Sequence, residues 1–292
     1  MNDLLDVADL TTAEIEALFE LTDRMKRDPE SFATSLPNRT LLMLFAKPST
    51  RTRLSFEAGM TQLGGHAIDL AQERSQIERG EPLGDVAAVA SRYVDAVMAR
   101  LYAHEDVLEL AAHADVPVIN GLTDLLHPCQ ALADLYTMHE RGLSSLAYLG
   151  DGNNVAHSLM QTCAKLGVRC TVATPPGYGP NETIRQQVEG TRVRVINDPI
   201  EAVSGADVVY TDAWVSMGQD VDREEKVDAF RDFQVNAELM TAAGPEAVFM
   251  HCLPAHRGEE VTADVIDGPR SIVYDQAENR LHVQKAILHT LL

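Results

Sequence analysis

Twice along this chain, short apolar runs bounded by turn residues alternate with stretches of helical spacing, and that alternation limits the folds open to it. In the first half, residues 41–45, 67–70, 95–100 and 117–120 read as strands. Helical spacing fills 54–63, 82–93 and 105–114 between them, after an opening helical stretch at 3–27 that stops before Pro29. Consecutive strands separated by a helix return in the same direction, so the sheet they form is parallel.

A helix over 128–141 leads into a second set, with strands expected at 146–149, 169–173, 193–196, 208–211 and 248–252. The pattern restarts, so the fold expected is α/β: two doubly wound parallel-sheet domains joined by helices. With 292 residues and 45% hydrophobic content, two medium cores suit the chain. The borders expected are 1–132 for the first domain and 133–276 for the second, with a C-terminal helix over 277–292 packing back on the first. In open parallel sheets ligands bind beyond the carboxyl ends of the strands. Turns fall there at Lys47-Pro48-Ser49, Leu122-Thr123-Asp124, Gly150-Asp151-Gly152, Asp212-Ala213-Trp214 and Leu253-Pro254, which places the expected active site in the interdomain cleft.

Several of these turns carry chemistry. Ser49-Thr50-Arg51-Thr52-Arg53 joins a strand to the first turn of a helix, where unpaired N–H groups, hydroxyls and guanidiniums suit a dianionic phosphate. The plainer alternative is a hydroxyl cap with solvated arginines. His127-Pro128-Cys129-Gln130 puts an imidazole and an amide before a helix whose Pro suits its first position. Gly150-Asp151-Gly152-Asn153-Asn154-Val155 resembles a dinucleotide turn, but Val155 replaces the third glycine and the next strand ends in Ala173-Thr174-Pro175-Pro176 without an acid for a ribose. A nicotinamide cofactor is disfavoured, and Asn153 and Asn154 are open to roles as ligands or as turn and cap residues. Asp212 with Ser216-Met217-Gly218 suits the ammonium and carboxylate of an amino acid, or a cap and a turn. Cys252 follows His251 at a strand end. Alternate strand residues face opposite ways, so His251 and Cys252 are not expected to share a metal, and no metal is expected.

The formal charge is −20, and lysine occurs only at positions 26, 47, 165, 226 and 285. Such a surface repels nucleic acid and anionic membranes, so neither is an expected partner. Acidic excess with few lysines also fits a high-salt environment, where screening relieves self-repulsion. No apolar run approaches the ~18 residues of a membrane span, and the acidic opening Met1-Asn2-Asp3 is unlike a secretory signal. A soluble cytoplasmic protein with its four cysteines reduced is expected.

Taken together, the 49–53 motif, His127-Pro128-Cys129-Gln130, Asp212 with Ser216-Met217-Gly218, and His251-Cys252-Leu253-Pro254 resemble the ornithine carbamoyltransferase family over almost the whole chain. The resemblance implies transfer of a carbamoyl group from carbamoyl phosphate to the side-chain amine of L-ornithine, giving L-citrulline and phosphate. It implies no cofactor, and homotrimers with active sites at subunit borders. Ser49, Thr50, Arg51 and Thr52 are implied to hold phosphate, and Arg100, His127 and Gln130 the carbamoyl group. Gln76 is implied to reach across from a neighbouring subunit, and Arg280 to return to carbamoyl phosphate from the last helix. Asn154, Asp212, Ser216 and Met217 are implied to receive ornithine, with Cys252 and Leu253 lining the reacting centre. Arg100, His127, Cys252 and Asp212 make up the implied catalytic set. An aspartate-specific relative would carry a lysine in the loop after the second strand, and none occurs between Lys47 and Lys165. A carbamoyltransferase for putrescine or acylated ornithine, or a non-catalytic homologue, are the remaining alternatives.

Overall fold

The computed structural model describes residues 1–215 and 223–292. The chain divides into two compact units, Met1–Tyr136 with Glu278–Leu292, and Thr137–Ala277. The division falls inside the helix expected at the border, after Tyr136 rather than after residue 132.

In the first unit the chain runs α1 (Thr12–Arg27), β1 (Thr40–Phe45), α2 (Thr50–Gln62), β2 (His66–Ala71), α3 (Leu83–Ala90), β3 (Ala96–Arg100), α4 (His104–His113), β4 (Val118–Leu122) and α5 (Pro128–Glu140). The sheet order is β2-β1-β3-β4, all parallel, with Leu42 opposite Ile68 on one side and Val97 on the other. One face of it is covered by Ala87 and Ala90 of α3 and Val107 and Leu110 of α4, which pack with Leu42, Leu44, Val97 and Val118 in one core. Burying such side chains contributes roughly 1.5–3 kcal/mol each for the larger ones.

The helix expected from residue 3 begins only at Thr12. Thr11 forms a capping box with Glu14, its hydroxyl accepting from Glu14 N at 3.2 Å while the Glu14 carboxylate accepts from Thr11 N at 2.8 Å. Upstream, Leu4 lies beside β4 as a one-residue bridge, donating its N–H to Val118 O at 2.9 Å and accepting from Asn120 N at 2.8 Å. Apolar spacing alone does not separate these two segments; the cap does.

The second unit runs β5 (Ser145–Leu149), α6 (Asn154–Leu166), β6 (Arg169–Ala173), α7 (Glu182–Gln187), β7 (Val193–Ile196), α8 (Pro199–Val203), β8 (Val208–Thr211), α9 (Arg223–Phe230), α10 (Ala237–Ala243), β9 (Val248–His251), α11 (Ala263–Ile266) and the start of α12 (Val273–Leu291). Its sheet order is β7-β6-β5-β8-β9, again parallel, with Leu146 opposite Cys170 and Val208. The last strand stops at His251, one residue short of the expected 252, and α12 starts before the expected 277. Among the described residues no helix is long and apolar enough to cross a membrane.

Both sheets start in the middle and grow outward in two directions. The chain leaves β1 for β2 and returns to β3, and it leaves β5 for β6 and returns to β8. Connections after these neighbouring strands diverge, which opens a crevice at their carboxyl ends. The turns at 46–49 and 150–153 therefore sit at the two switch points, as do the strand ends at Arg100 and Asp212.

Candidate active site

The first unit collects cations. β1 delivers the chain to Ser49, which caps α2 by accepting from Thr52 N at 3.3 Å and donating its hydroxyl to Thr52 Oγ1 at 3.0 Å. The capping role and an anion-binding role are compatible, since α2 is thirteen residues long and its first N–H groups still point out of its positive end. Arg53 lies on the exposed side, 3.5 Å from Glu57 and 3.4 Å from Asp69. Arg100 ends β3 almost buried, and from α12 the buried Arg280 donates through Nη2 to Thr52 Oγ1 at 3.0 Å and through Nη1 to Gln130 Oε1.

His127 sits at the mouth of α5, 6% exposed. Burial, followed by the charges of Arg280, Arg100 and Arg51, holds its pKa well below the ordinary histidine value. It is a neutral imidazole at neutral pH, so it can donate one hydrogen bond without adding a further charge to three guanidiniums. Its neighbour Cys129 has its thiol pushed up to about 12 by burial and donates to Asn120 O at 3.5 Å, the behaviour of an inert core thiol. Lys47, nearly buried, forms an ion pair with Asp124 and lies 4.4 Å from the Tyr102 ring centroid, tying the turn after β1 to the turn after β4. Gln76 is exposed in the 3-10 turn Gln76–Arg79, where Arg79 Nη1 donates to it at 3.5 Å. Among the described residues it is not part of the hydrogen-bonded group around Arg280.

The second unit collects acceptors. Asp212, just past β8, receives the Cys252 thiol on Oδ1 at 3.0 Å, Ala213 N on the same oxygen at 2.8 Å, and Asn153 Nδ2 on Oδ2 at 2.8 Å. Asn153 is itself the cap of α6, its Oδ1 accepting from Val155 N at 3.0 Å, Ala156 N at 3.1 Å and the Tyr148 hydroxyl at 3.3 Å. Burial, with the electrostatic influence of Asp212, Asp151 and Cys252 behind it, raises the Tyr148 pKa well above its usual value, so the hydroxyl stays a donor. It also donates to Asp151 O at 3.0 Å. The 150–153 turn is pinned further by Lys226 of α9, which donates to Asp151 Oδ2 at 2.7 Å and lies 5.8 Å from the Tyr178 ring. Gly152 is required at this turn because a Cβ would meet Pro180 N at 2.2 Å.

Of the two asparagines, the structure thus puts Asn153 in the Asp212–Cys252 chain, while Asn154 is the partly buried first residue of α6. An Asn-Asn pair before a helix gives no sequence signal for which one caps. Ser216 and Met217 lie outside the described residues. Leu253 takes a left-handed backbone, φ 59°, unusual for a branched apolar residue, and His251 Nδ1 accepts its N–H at 2.8 Å.

The alternation argument against a shared metal does not survive. Cys252 lies past the strand end, so its sulfur and ligand atoms of Asp212 and His251 all lie within 4.8 Å of one another. Those atoms are already engaged inside the protein, however. His251 faces Leu253 N through Nδ1 and Glu260 Oε1 through Nε2 at 3.1 Å, and both Asp212 oxygens carry the bonds given above. Burial opposes ionisation of Glu260, but the bonds from His251 and His256 N outweigh it and hold its carboxyl below the usual range.

One parallel α/β unit presents guanidiniums at its switch point, and the other a carboxylate and a thiol. Residues 2–140 match the carbamoyl-P binding domain, and residues 144–291 the Asp/Orn binding domain, of aspartate/ornithine carbamoyltransferase. The chain is 59% identical over 293 residues to a catabolic ornithine carbamoyltransferase of Halobacterium salinarum, covering 100% of this chain and 99% of that one. The ornithine carbamoyltransferase structure from Pyrococcus furiosus superposes with a TM-score of 0.94 at 52% identity, covering 100% of this chain and 96% of that one. An anabolic enzyme from Campylobacter jejuni reaches the same TM-score at 36% identity, with 100% and 99% covered. The chain belongs to the aspartate/ornithine carbamoyltransferase family.

Proposed function

We propose that the protein transfers the carbamoyl group of carbamoyl phosphate to the side-chain amine of L-ornithine, forming L-citrulline and phosphate. The observation that carries the choice of ornithine is the Asp212 carboxylate held between Cys252 and Asn153. It attracts an ammonium and repels the second carboxylate of aspartate. The full-length relatives at 52–59% identity named ornithine carbamoyltransferase support the same reading.

Ser49, Thr50, Arg51, Thr52 and Arg280 bind the phosphate, and Arg100, His127 and Gln130 bind the carbamoyl group. Asn154, Asp212, Ser216 and Met217 receive the amino-acid end of ornithine, with Cys252 and Leu253 lining the reacting centre. The neutral amine attacks the carbonyl carbon, and the carbonyl electron pair moves onto oxygen. When it returns, the carbon–oxygen bond to phosphate breaks, phosphate leaves with that pair, and the proton lost by the amine nitrogen passes to the departing phosphate. Arg100 and His127 offset the developing oxyanion, each such donor contributing about 3 kcal/mol, while Arg51 and Arg280 stabilise the departing phosphate. Holding both substrates in line lowers the barrier further.

Gln76 acts on the site of a neighbouring subunit in a homotrimer. Leu54 and Tyr93 of the first unit, 61% and 79% exposed, support an interface between copies. The acidic surface and the Halobacterium relative support a cytoplasmic enzyme adapted to high salt. The test is citrulline formation from carbamoyl phosphate and ornithine in molar salt, with putrescine, acetylornithine and aspartate in parallel. Faster turnover of any of these three, or no citrulline from folded protein, overturns the assignment.

A further inference from the structure

Gln130 is 2% exposed, and Asp134, one turn further along α5, is fully buried. Gln130 Nε2 donates to Asp134 Oδ1 at 2.8 Å, and Gln130 Oε1 accepts from Arg280 Nη1. A side-chain amide presents an acceptor at one end and donors at the other, and rotation by half a turn exchanges them. Here the neighbours decide which end faces which way. A guanidinium has no acceptor, so the reversed amide would place N–H against N–H at Arg280 and would give up the hydrogen bond that Nε2 now donates to Asp134 Oδ1.

We propose that Asp134 is a positioning residue that locks Gln130 with its oxygen toward Arg280, so that the site offers an acceptor to the carbamoyl N–H. This rests on the reading of Gln130 given above. Asp134 touches no substrate itself; it acts through the amide. Phosphate has no N–H to donate, so the lock discriminates between a ligand carrying an amide and a bare phosphate.

That difference gives a readout which a merely structural carboxylate would not move. Isothermal titration of the full-length protein with phosphonoacetamide, which keeps the amide and a phosphonate, is compared with titration by inorganic phosphate. Asp134→Ala is expected to weaken phosphonoacetamide about tenfold and phosphate less than about twofold. Asp134→Asn retains an acceptor for Nε2 and is expected to fall between. In a Gln130→Ala background, Asp134→Ala is expected to add nothing further. Equal loss of both ligands, or an undiminished effect of Asp134→Ala without Gln130, overturns the proposal. Should the alanine variant not fold, the asparagine variant carries the same comparison. A wild-type protein that binds neither ligand overturns the carbamoyl phosphate reading and this inference with it; one that binds both, with no split on substitution, overturns this inference alone.

Discussion

The switch-point turns after β1 and β3 in one sheet and after β5 and β8 in the other sit at equivalent places, yet the two pairs gather opposite charge. Around the first, Arg51, Arg100 and Arg280 surround a neutral His127; around the second, Asp212 holds a thiol and an amide. Parallel topology supplies the crevice, and side chains alone decide what enters it. In a chain of formal charge −20, the first group reverses the local field, while the second keeps the sign of the whole surface.

The contrast can be broken most forcefully at the buried lysines. Lys226 and Asp151 are both shielded, with side-chain exposures of 5% and 12%, whereas Lys47 at 6% faces Asp124 at 63%. Lys226→Met strands a buried carboxylate and is expected to cost about 3 kcal/mol or more in urea unfolding; Lys47→Met leaves Asp124 to water and is expected to cost about 1 kcal/mol. Equal losses would mean that burial of the partner does not matter here.

Next in size, Arg51→Ala is expected to lower kcat/KM for carbamoyl phosphate about 10²–10³-fold while the ornithine KM moves less than about threefold. Asp212→Asn is expected to do the reverse, raising the ornithine KM and lowering kcat about 10²-fold with carbamoyl phosphate binding kept. Steady-state kinetics with each substrate varied reads both, and loss shared equally between substrates in either variant would erase the division of labour.

The two cysteines sharpen it further. Cys252→Ala is expected to lower kcat about tenfold with unchanged thermal unfolding, and Cys129→Ala to lower stability without a comparable change in kcat. Timed alkylation followed by mass spectrometry should modify Cys252 well before Cys129, whose thiol is held protonated by burial.

The smallest effect is in acid. His127, with its pKa depressed in the folded protein, takes up a proton more readily when unfolded. It therefore favours unfolding as pH falls below about 6.5, and its contribution to stability is intact above that value. His282 and His289, both partly buried and lowered chiefly by desolvation, act in the same direction. In the second unit, the depressed Glu260 loses its stabilising contribution only as pH falls through its lowered pKa, below the ordinary range near 4.3. His127→Gln is expected to flatten the upper part of the stability–pH curve, and Glu260→Gln only the lower part.

Much of this was legible from residue order. Strand and helix alternation located nine parallel strands within a residue or two, and motif chemistry pointed to the cationic and acidic turns. The misses are local ambiguities of two kinds. Apolar spacing ran Leu4 into α1 because a capping box is a hydrogen-bond pattern and not a periodicity. A strand read through Cys252 brings with it an alternation rule that does not apply past the strand end at His251. Asp134 and Lys226 carry no signal in the sequence, and Asn153 stays open there between ligand and cap, because each acts through a neighbour that sequence spacing does not reveal.

The sequence by itself determined two parallel α/β sheets and the stock of arginines, histidines, acids and thiols at their turns, since backbone propensity and apolar period are written within a few residues. Tertiary structure alone decided that Arg280 meets Thr52 across 228 positions, and Lys226 meets Asp151 across 75. Such partners are chosen by strand order, register and burial. Those are properties of the packed sheets, fixed only when all the strands are in place.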